Sequence, residues 1–66
     1  MKLYIARDAD GRLYLYDNIP EKRNGYFMIG IGRDVMSIDD KLFPEVTFEN
    51  SPQEVELKLV KIWFLK

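Results

Sequence analysis

Lys2-Leu3-Tyr4-Ile5-Ala6-Arg7-Asp8-Ala9-Asp10-Gly11-Arg12-Leu13-Tyr14-Leu15-Tyr16 carries the strongest structural signal in this chain. Two alternating runs, residues 3–7 and 12–16, flank Asp8-Ala9-Asp10-Gly11, which predicts a β-hairpin. Two registers compete. A two-residue Asp10-Gly11 turn sets Ile5 against Tyr16, whereas a three-residue loop with Gly11 in the left-handed position sets Ile5 against Leu15. The second register puts Leu3, Ile5, Leu13 and Leu15 on one face and Tyr4, Ala6, Tyr14 and Tyr16 on the other. A one-residue slip would mix both sets. Asp8 suits the first position of a type I turn, where its carboxylate can accept from the turn amides, and Gly11 tolerates the positive φ of the bulge that follows.

Working outward, residues 17–25 are polar, carry Pro20 and Gly25, and read as a connecting loop. Residues 26–31 follow as a strand that is apolar on both sides, with Phe27, Ile29 and Ile31 alternating with Tyr26 and Met28, which predicts a central position. Gly32-Arg33-Asp34 makes a turn and residues 35–38 return as a short strand. Asp39 can cap one helical turn over residues 40–43, which Pro44 ends because the residue before proline is pushed out of helical geometry. Residues 46–48 form a short β run.

Local and periodic signals conflict from residue 51 onward. Ser51, Pro52 and Glu54 match a capping box with proline at the first helical position, a helix signal. Projected as a helix, however, residues 55–64 are apolar on two opposed sides. As a strand, Val55, Leu57 and Leu59 alternate with charged residues, and a bulge near Leu59 and Val60 lets Val60, Ile62 and Phe64 continue the pattern. The expected fold is therefore mainly β, a small antiparallel sheet or roll of about five strands with a short helical turn, in a single domain of residues 1–66. An α+β fold with a C-terminal helix from Pro52 is the alternative.

The opening MKLYIARDADGRLYLYDN and the later LFPEVTFENSPQEVEL resemble small uncharacterised open reading frames of gut bacteria and of their phages and prophages. Together these segments cover about half of the chain. That family has no assigned activity, so the resemblance implies a setting in mobile or phage DNA and brings no catalytic residue.

Composition bounds the function. With 47% hydrophobic and 14% aromatic residues in 66, the chain can build a core despite its size. It has no Cys and no His, which removes the thiol nucleophile, the commonest general base and the commonest transition-metal ligands. Ser37, Thr47 and Ser51 each have a structural reading as strand or cap residues. The pairs Asp8/Asp10 and Asp39/Asp40 sit at turn and cap positions, and Arg12 and Leu13 stand where an EF-hand loop needs further ligands. Gly25, Gly30 and Gly32 lack the Gly-Lys-Ser/Thr or strand-to-helix context of a phosphate loop. The expectation is a protein that is not an enzyme and takes no cofactor or metal. Without a disulfide framework, and with Arg7 and Asp8 cutting short the apolar run from Met1, it is expected to be cytoplasmic, with no signal peptide and no membrane span.

Two clusters remain as candidate interaction surfaces. Tyr4, Tyr14 and Tyr16, flanked by Lys2 and Arg12, could stack single-stranded bases or contact a protein, or could be covered by the loop of residues 17–25. A net charge of −1, with residues 34–56 holding a single basic side chain, Lys41, against seven acidic ones, disfavours nucleic acid. Ile62, Trp63 and Phe64 form an apolar cluster that must be buried, either by closing this domain's own sheet or by sharing an edge strand with a second copy or another protein. A non-enzymatic protein-interaction module, with an unknown partner or self-association as a homodimer, is the expected function. A nucleic-acid-binding accessory protein using the tyrosine face is the alternative.

Overall fold

The computed structural model describes residues 1–58, which are mainly β and contain no helix. In chain order the strands are β1 (Lys2–Arg7), β2 (Leu13–Tyr16), β3 (Glu21–Lys22), β4 (Phe27–Met28), β5 (Val35–Ile38) and β6 (Gln53–Glu56). Four of them build an antiparallel sheet in the order β5-β2-β1-β6, and β3 pairs with β4 in a separate two-stranded ribbon.

The first hairpin adopts the register with Ile5 opposite Leu15 and Arg7 opposite Leu13. Its turn is closed by the Gly11 amide donating to the Asp8 carbonyl (3.0 Å) and the Asp8 amide donating to the Arg12 carbonyl (2.9 Å). Gly11 sits at φ 95°, as the bulge requires. A Cβ built at Gly11 would meet nothing within 4 Å, so replacement there costs backbone conformation alone. Gly11→Val is expected to lower stability by about 1–2 kcal/mol, because a β-branched residue resists positive φ. A lowered urea midpoint at constant slope is the result that checks it.

The side-chain alternation becomes a sheet with two apolar faces. On one, Ile5 and Leu13 are buried with Val46, and Leu15, Ile38 and Val55 pack against them. On the other, Ala6, Tyr16 and Phe27 are buried, with Tyr4, Tyr14, Ile29 and Phe48 packed around them. Since both faces carry buried apolar residues, the sheet needs a cover on each side, and the intervening loops supply part of it.

Several expectations are corrected. Residues 17–25 are not simply a loop: Glu21 and Lys22 pair with Met28 and Phe27 around Asn24-Gly25, with Gly25 at φ 92°. Residues 26–31 do not form a central strand. Only Phe27 and Met28 are extended partners, because Gly30 and Gly32 allow a turn in which the Arg33 amide donates to the Gly30 carbonyl (3.3 Å), and Ile31 is left fully exposed. The helical turn over residues 40–43 is a single hydrogen-bonded turn, from the Leu42 amide to the Asp39 carbonyl, with the Asp39 carboxylate accepting from the Lys41 amide as a cap (3.0 Å). Residues 46–48 form no strand: Val46 is buried in the core and Phe48 opens a turn.

At Ser51 the helix signal loses to tertiary pairing. The Ser51 hydroxyl accepts from the Arg7 amide (3.0 Å) and donates to the Thr47 carbonyl, so it joins β1 to the preceding turn and caps no helix. The Ser51-Pro52 peptide is cis. Strand β6 then runs antiparallel to β1 with Val55 opposite Leu3, as the alternation predicts. The bulge near Leu59 and Val60 and the strand pattern through Phe64 lie outside the described residues.

Candidate protein-binding surface

Arg7 sets the shape of the surface. Its parity with Leu3 and Ile5 directs it to the first apolar face, next to Leu13. There its guanidinium finds five carbonyls and no carboxylate: Nε donates to Val46 (2.6 Å), Nη1 to Gly11 (2.7 Å) and Asp40 (3.0 Å), and Nη2 to Leu42 (3.0 Å) and Phe43 (3.1 Å). All five N–H donors of the planar fork are thereby used. Asp40 adds a second tie by accepting from the Leu13 amide (3.2 Å). Residues 39–46 are thus fastened over one half of the face, where Val46 is buried on Ile5 and Leu13. The other half stays open as a groove of about 300 Å³, lined by Leu3, Ile5, Leu15, Ile38, Val55 and Leu57, with Leu42, Phe43 and Glu56 at its rim. A second depression of about 360 Å³ continues from Leu3 and Leu15 to Asp34, Val35 and Met36 at the β5 edge.

β5 is the outermost strand beside β2, and Val35 and Met36 on it are 48% and 60% exposed. Asp34 precedes it and Asp39 follows it. The Asp34 amide donates to the Asp17 carboxylate (3.2 Å). Among the described residues the ion pairs are at the opposite edge and in turns, the Met1 ammonium with Glu56 (4.0 Å), Lys2 with Glu54 (3.7 Å), Arg12 with Asp10 (3.6 Å) and Arg23 with Glu21 (2.7 Å), so the carboxylates flanking β5 face no lysine or arginine there.

The tyrosine face is a second core. Tyr16 is buried, and Tyr4 and Tyr14 are half-buried beneath Phe27, Ile29 and Phe48. The β3–β4 ribbon is drawn onto this face by the Asp8 carboxylate, which accepts from the Phe27 amide (3.2 Å), and by the Ala9 amide donating to the Gly25 carbonyl (2.9 Å). Asp8 thus serves a neighbouring strand, and it is Asp10 that accepts within the turn, from the Arg12 amide (3.0 Å). Phe27 and Phe48 meet edge to face at 5.6 Å, and the Lys22 ammonium lies 4.6 Å from the Phe48 ring centroid. Tyr16 therefore has no free ring face for a base, and the flanking cations Lys2 and Arg12 are engaged with Glu54 and Asp10. Ile62, Trp63 and Phe64 lie outside the described residues.

Burial, together with the nearby Asp8 and Tyr14 charges, pushes the Tyr16 phenol up to about 12 from 10.0. The folded state then keeps a proton that the unfolded chain gives up first, so stability conferred by Tyr16 is full below pH 10 and is lost as the pH rises from 10 to 12. An alkaline absorbance titration should show one of the four tyrosines ionising last, and Tyr16→Phe should remove that late step. Desolvation likewise raises Asp8 above 3.8 despite the Phe27 amide and Arg12, which act the other way. The sign there is that the Asp8 contribution becomes less favourable as the pH rises past that value.

Sequence reasoning missed Arg7, Lys22 and the β5 edge. A signal existed for Arg7, since a charged residue in phase with the core face needs compensating partners. Lys22 and β5 carried none, because what they meet is set by chain segments far away. No helix among the described residues is long and apolar enough to cross a membrane. No family model matches the chain, and the searches of curated proteins and of solved structures found no match.

Proposed function

We propose that this protein is a non-enzymatic interaction module that takes an extended peptide segment as an added strand along β5. The observation that carries this reading is the exposed outer edge of β5, with Val35 and Met36 uncovered beside an apolar depression and with Asp34 and Asp39 at its two ends. An edge strand offers its unpaired backbone groups as a template, and alternate side-chain pockets supply selectivity. The matching ligand is an extended run of alternating apolar residues with Lys or Arg at each end. Absence of His and Cys is in keeping with a binding role. A setting in phage or other mobile DNA, implied by the resemblance of residues 1–18 and 42–57, belongs to the same proposal.

Selection of displayed random peptides on the whole protein tests it. Enriched sequences should alternate apolar residues between basic ends, and should bind Met36→Lys at least about tenfold more weakly, since a lysine on the edge blunts strand addition. Asp34→Lys should weaken the same peptides. Binders indifferent to both substitutions, or no enrichment at all, would refute strand addition at β5.

A further inference from the structure

The ladder between β2 and β5 fixes which backbone groups of β5 are already spent. The Asp17 amide donates to the Asp34 carbonyl (3.3 Å), Leu15 stands opposite Met36 and Leu13 opposite Ile38. Antiparallel strands alternate bonded and non-bonded pairs, so Asp34, Met36 and Ile38 turn their amides and carbonyls toward β2, and Val35 and Ser37 turn theirs to the open side. The other side of β2 agrees. There the Asp8 amide donates to the Arg12 carbonyl (2.9 Å), which commits Tyr14 and Tyr16 to β1 and leaves Leu13 and Leu15 for β5. The open ladder is short: the Arg33 amide is taken by the Gly30 carbonyl (3.3 Å), and the Asp39 carbonyl by the Leu42 amide (3.0 Å). Between these ends β5 carries neither Lys nor Pro, the residues that blunt an edge.

We propose that the strand added along β5 is β5 of a second copy of this chain, antiparallel about a two-fold axis at Met36, so that the two four-stranded sheets become one. This pairing rests on the strand addition proposed above and names its partner. Because only Val35 and Ser37 face outward, odd-numbered residues of one copy must meet odd-numbered residues of the other. That excludes the pairing of Asp34 with Asp39, carboxylate against carboxylate. Among the remaining two-fold registers, an axis at Ser37 sets Asp34 against Asp40, and an axis at Val35 sets Asp39 against Ile31. An axis at Met36 lets Val35 and Ser37 exchange both bonds with Ser37 and Val35 of the second copy, and sets Arg33 against Asp39 at both ends. Opposite charges directly across a ladder are favourable, and like charges are not. Arg33 and Asp39 are exposed, and among the described residues neither is in an ion pair. Met36, 60% exposed, then meets its own counterpart on the face where the depression of about 360 Å³ lies.

The chain has no cysteine, so single cysteines read this register. Met36→Cys should cross-link to its own copy under oxidised glutathione, because facing residues of a non-bonded pair have Cα atoms about 4.5 Å apart, within disulfide reach. Val35→Cys and Ser37→Cys, each displaced by two residues from its own counterpart, should cross-link at least about tenfold more slowly. In sedimentation the wild-type protein should dimerise below about millimolar concentration. Arg33→Asp and Asp39→Arg should each weaken the dimer at least about tenfold, and an equimolar mixture of the two should regain it, since each supplies the charge the other lacks. Exchange protection of the β1–β2 amides in both variants separates lost pairing from unfolding, which matters because the Asp39 carboxylate also caps the Lys41 amide. Faster cross-linking at Val35 or Ser37 than at Met36, or a mixture no more associated than its components, would overturn the pairing. So would a wild-type chain that stays monomeric at about millimolar concentration; if selected peptides still bind β5 of that monomer, strand addition stands and only the second copy is ruled out.

Discussion

Arg7→Met is expected to remove about 3 kcal/mol of stability, a large part of the roughly 3–10 kcal/mol that a chain of 66 residues commands. Charge-assisted hydrogen bonds contribute about 1.5–3 kcal/mol each, but the five at Arg7 share one charge and do not add. Those to Asp40, Leu42 and Phe43 are exposed, so water replaces the guanidinium there at little cost. Those to Val46 and Gly11 are partly buried, and their carbonyls lose a partner that solvent does not easily supply. Two such bonds set the size of the effect. Arg7→Lys should recover only a minority of it, because an ammonium is a point donor and cannot span Gly11 and Val46 at once. Urea unfolding of the three proteins gives the comparison; a lysine variant as stable as wild type would show that charge, and not the planar fork, holds residues 39–46 in place.

Leu13→Ala should cost as much or more, about 3–4 kcal/mol within the usual 2–5 for a buried leucine. Leu13 is the only large side chain among the described residues with essentially no exposure. It stands on the inner strand β2, between Arg7 on β1 and Ile38 on β5, with Val46 above it. Neighbours on three sides are held by backbone pairing or by the Arg7 fork, so the cavity left by truncation has little freedom to collapse. Val46→Ala strips the opposite wall of the same cluster, and the double variant should cost less than the two single losses combined. Chemical denaturation of the four-member cycle measures this. Strict additivity would mean that Val46 and Leu13 are not packed as one unit.

Both effects act on a surface whose parts differ in how far the sequence announces them. The first hairpin was legible down to its register, because Asp8, Gly11 and the two alternating runs lie within fifteen residues and agree with one another. Alternation at residues 53–56 likewise outweighed the capping box at Ser51, since β1 offers a ladder that an isolated helix turn cannot match. Residues 26–31 misled for the opposite reason. Their alternation is as good as that of β5, yet Gly25, Gly30 and Gly32 make turning cheap on both sides, and Asp8 draws Phe27 to the tyrosine face instead of into the main sheet. The tyrosines themselves were placed correctly on one face, but whether that face met water depended on Phe48 and Lys22, remote in sequence.

By itself, then, the sequence determined the strands β1, β2, β5 and β6, the turn at Gly11 and the division of the hairpin's side chains between two faces. Each of these rests on interactions between residues close along the chain, where steric period and turn chemistry leave few alternatives. Tertiary structure alone arranged the order β5-β2-β1-β6, the cover on each face and the open groove. Those follow from contacts such as Arg7 with Val46 and Ser51 with the Arg7 amide, 39 and 44 residues apart, which exist only once the chain has been brought together and which no local pattern encodes.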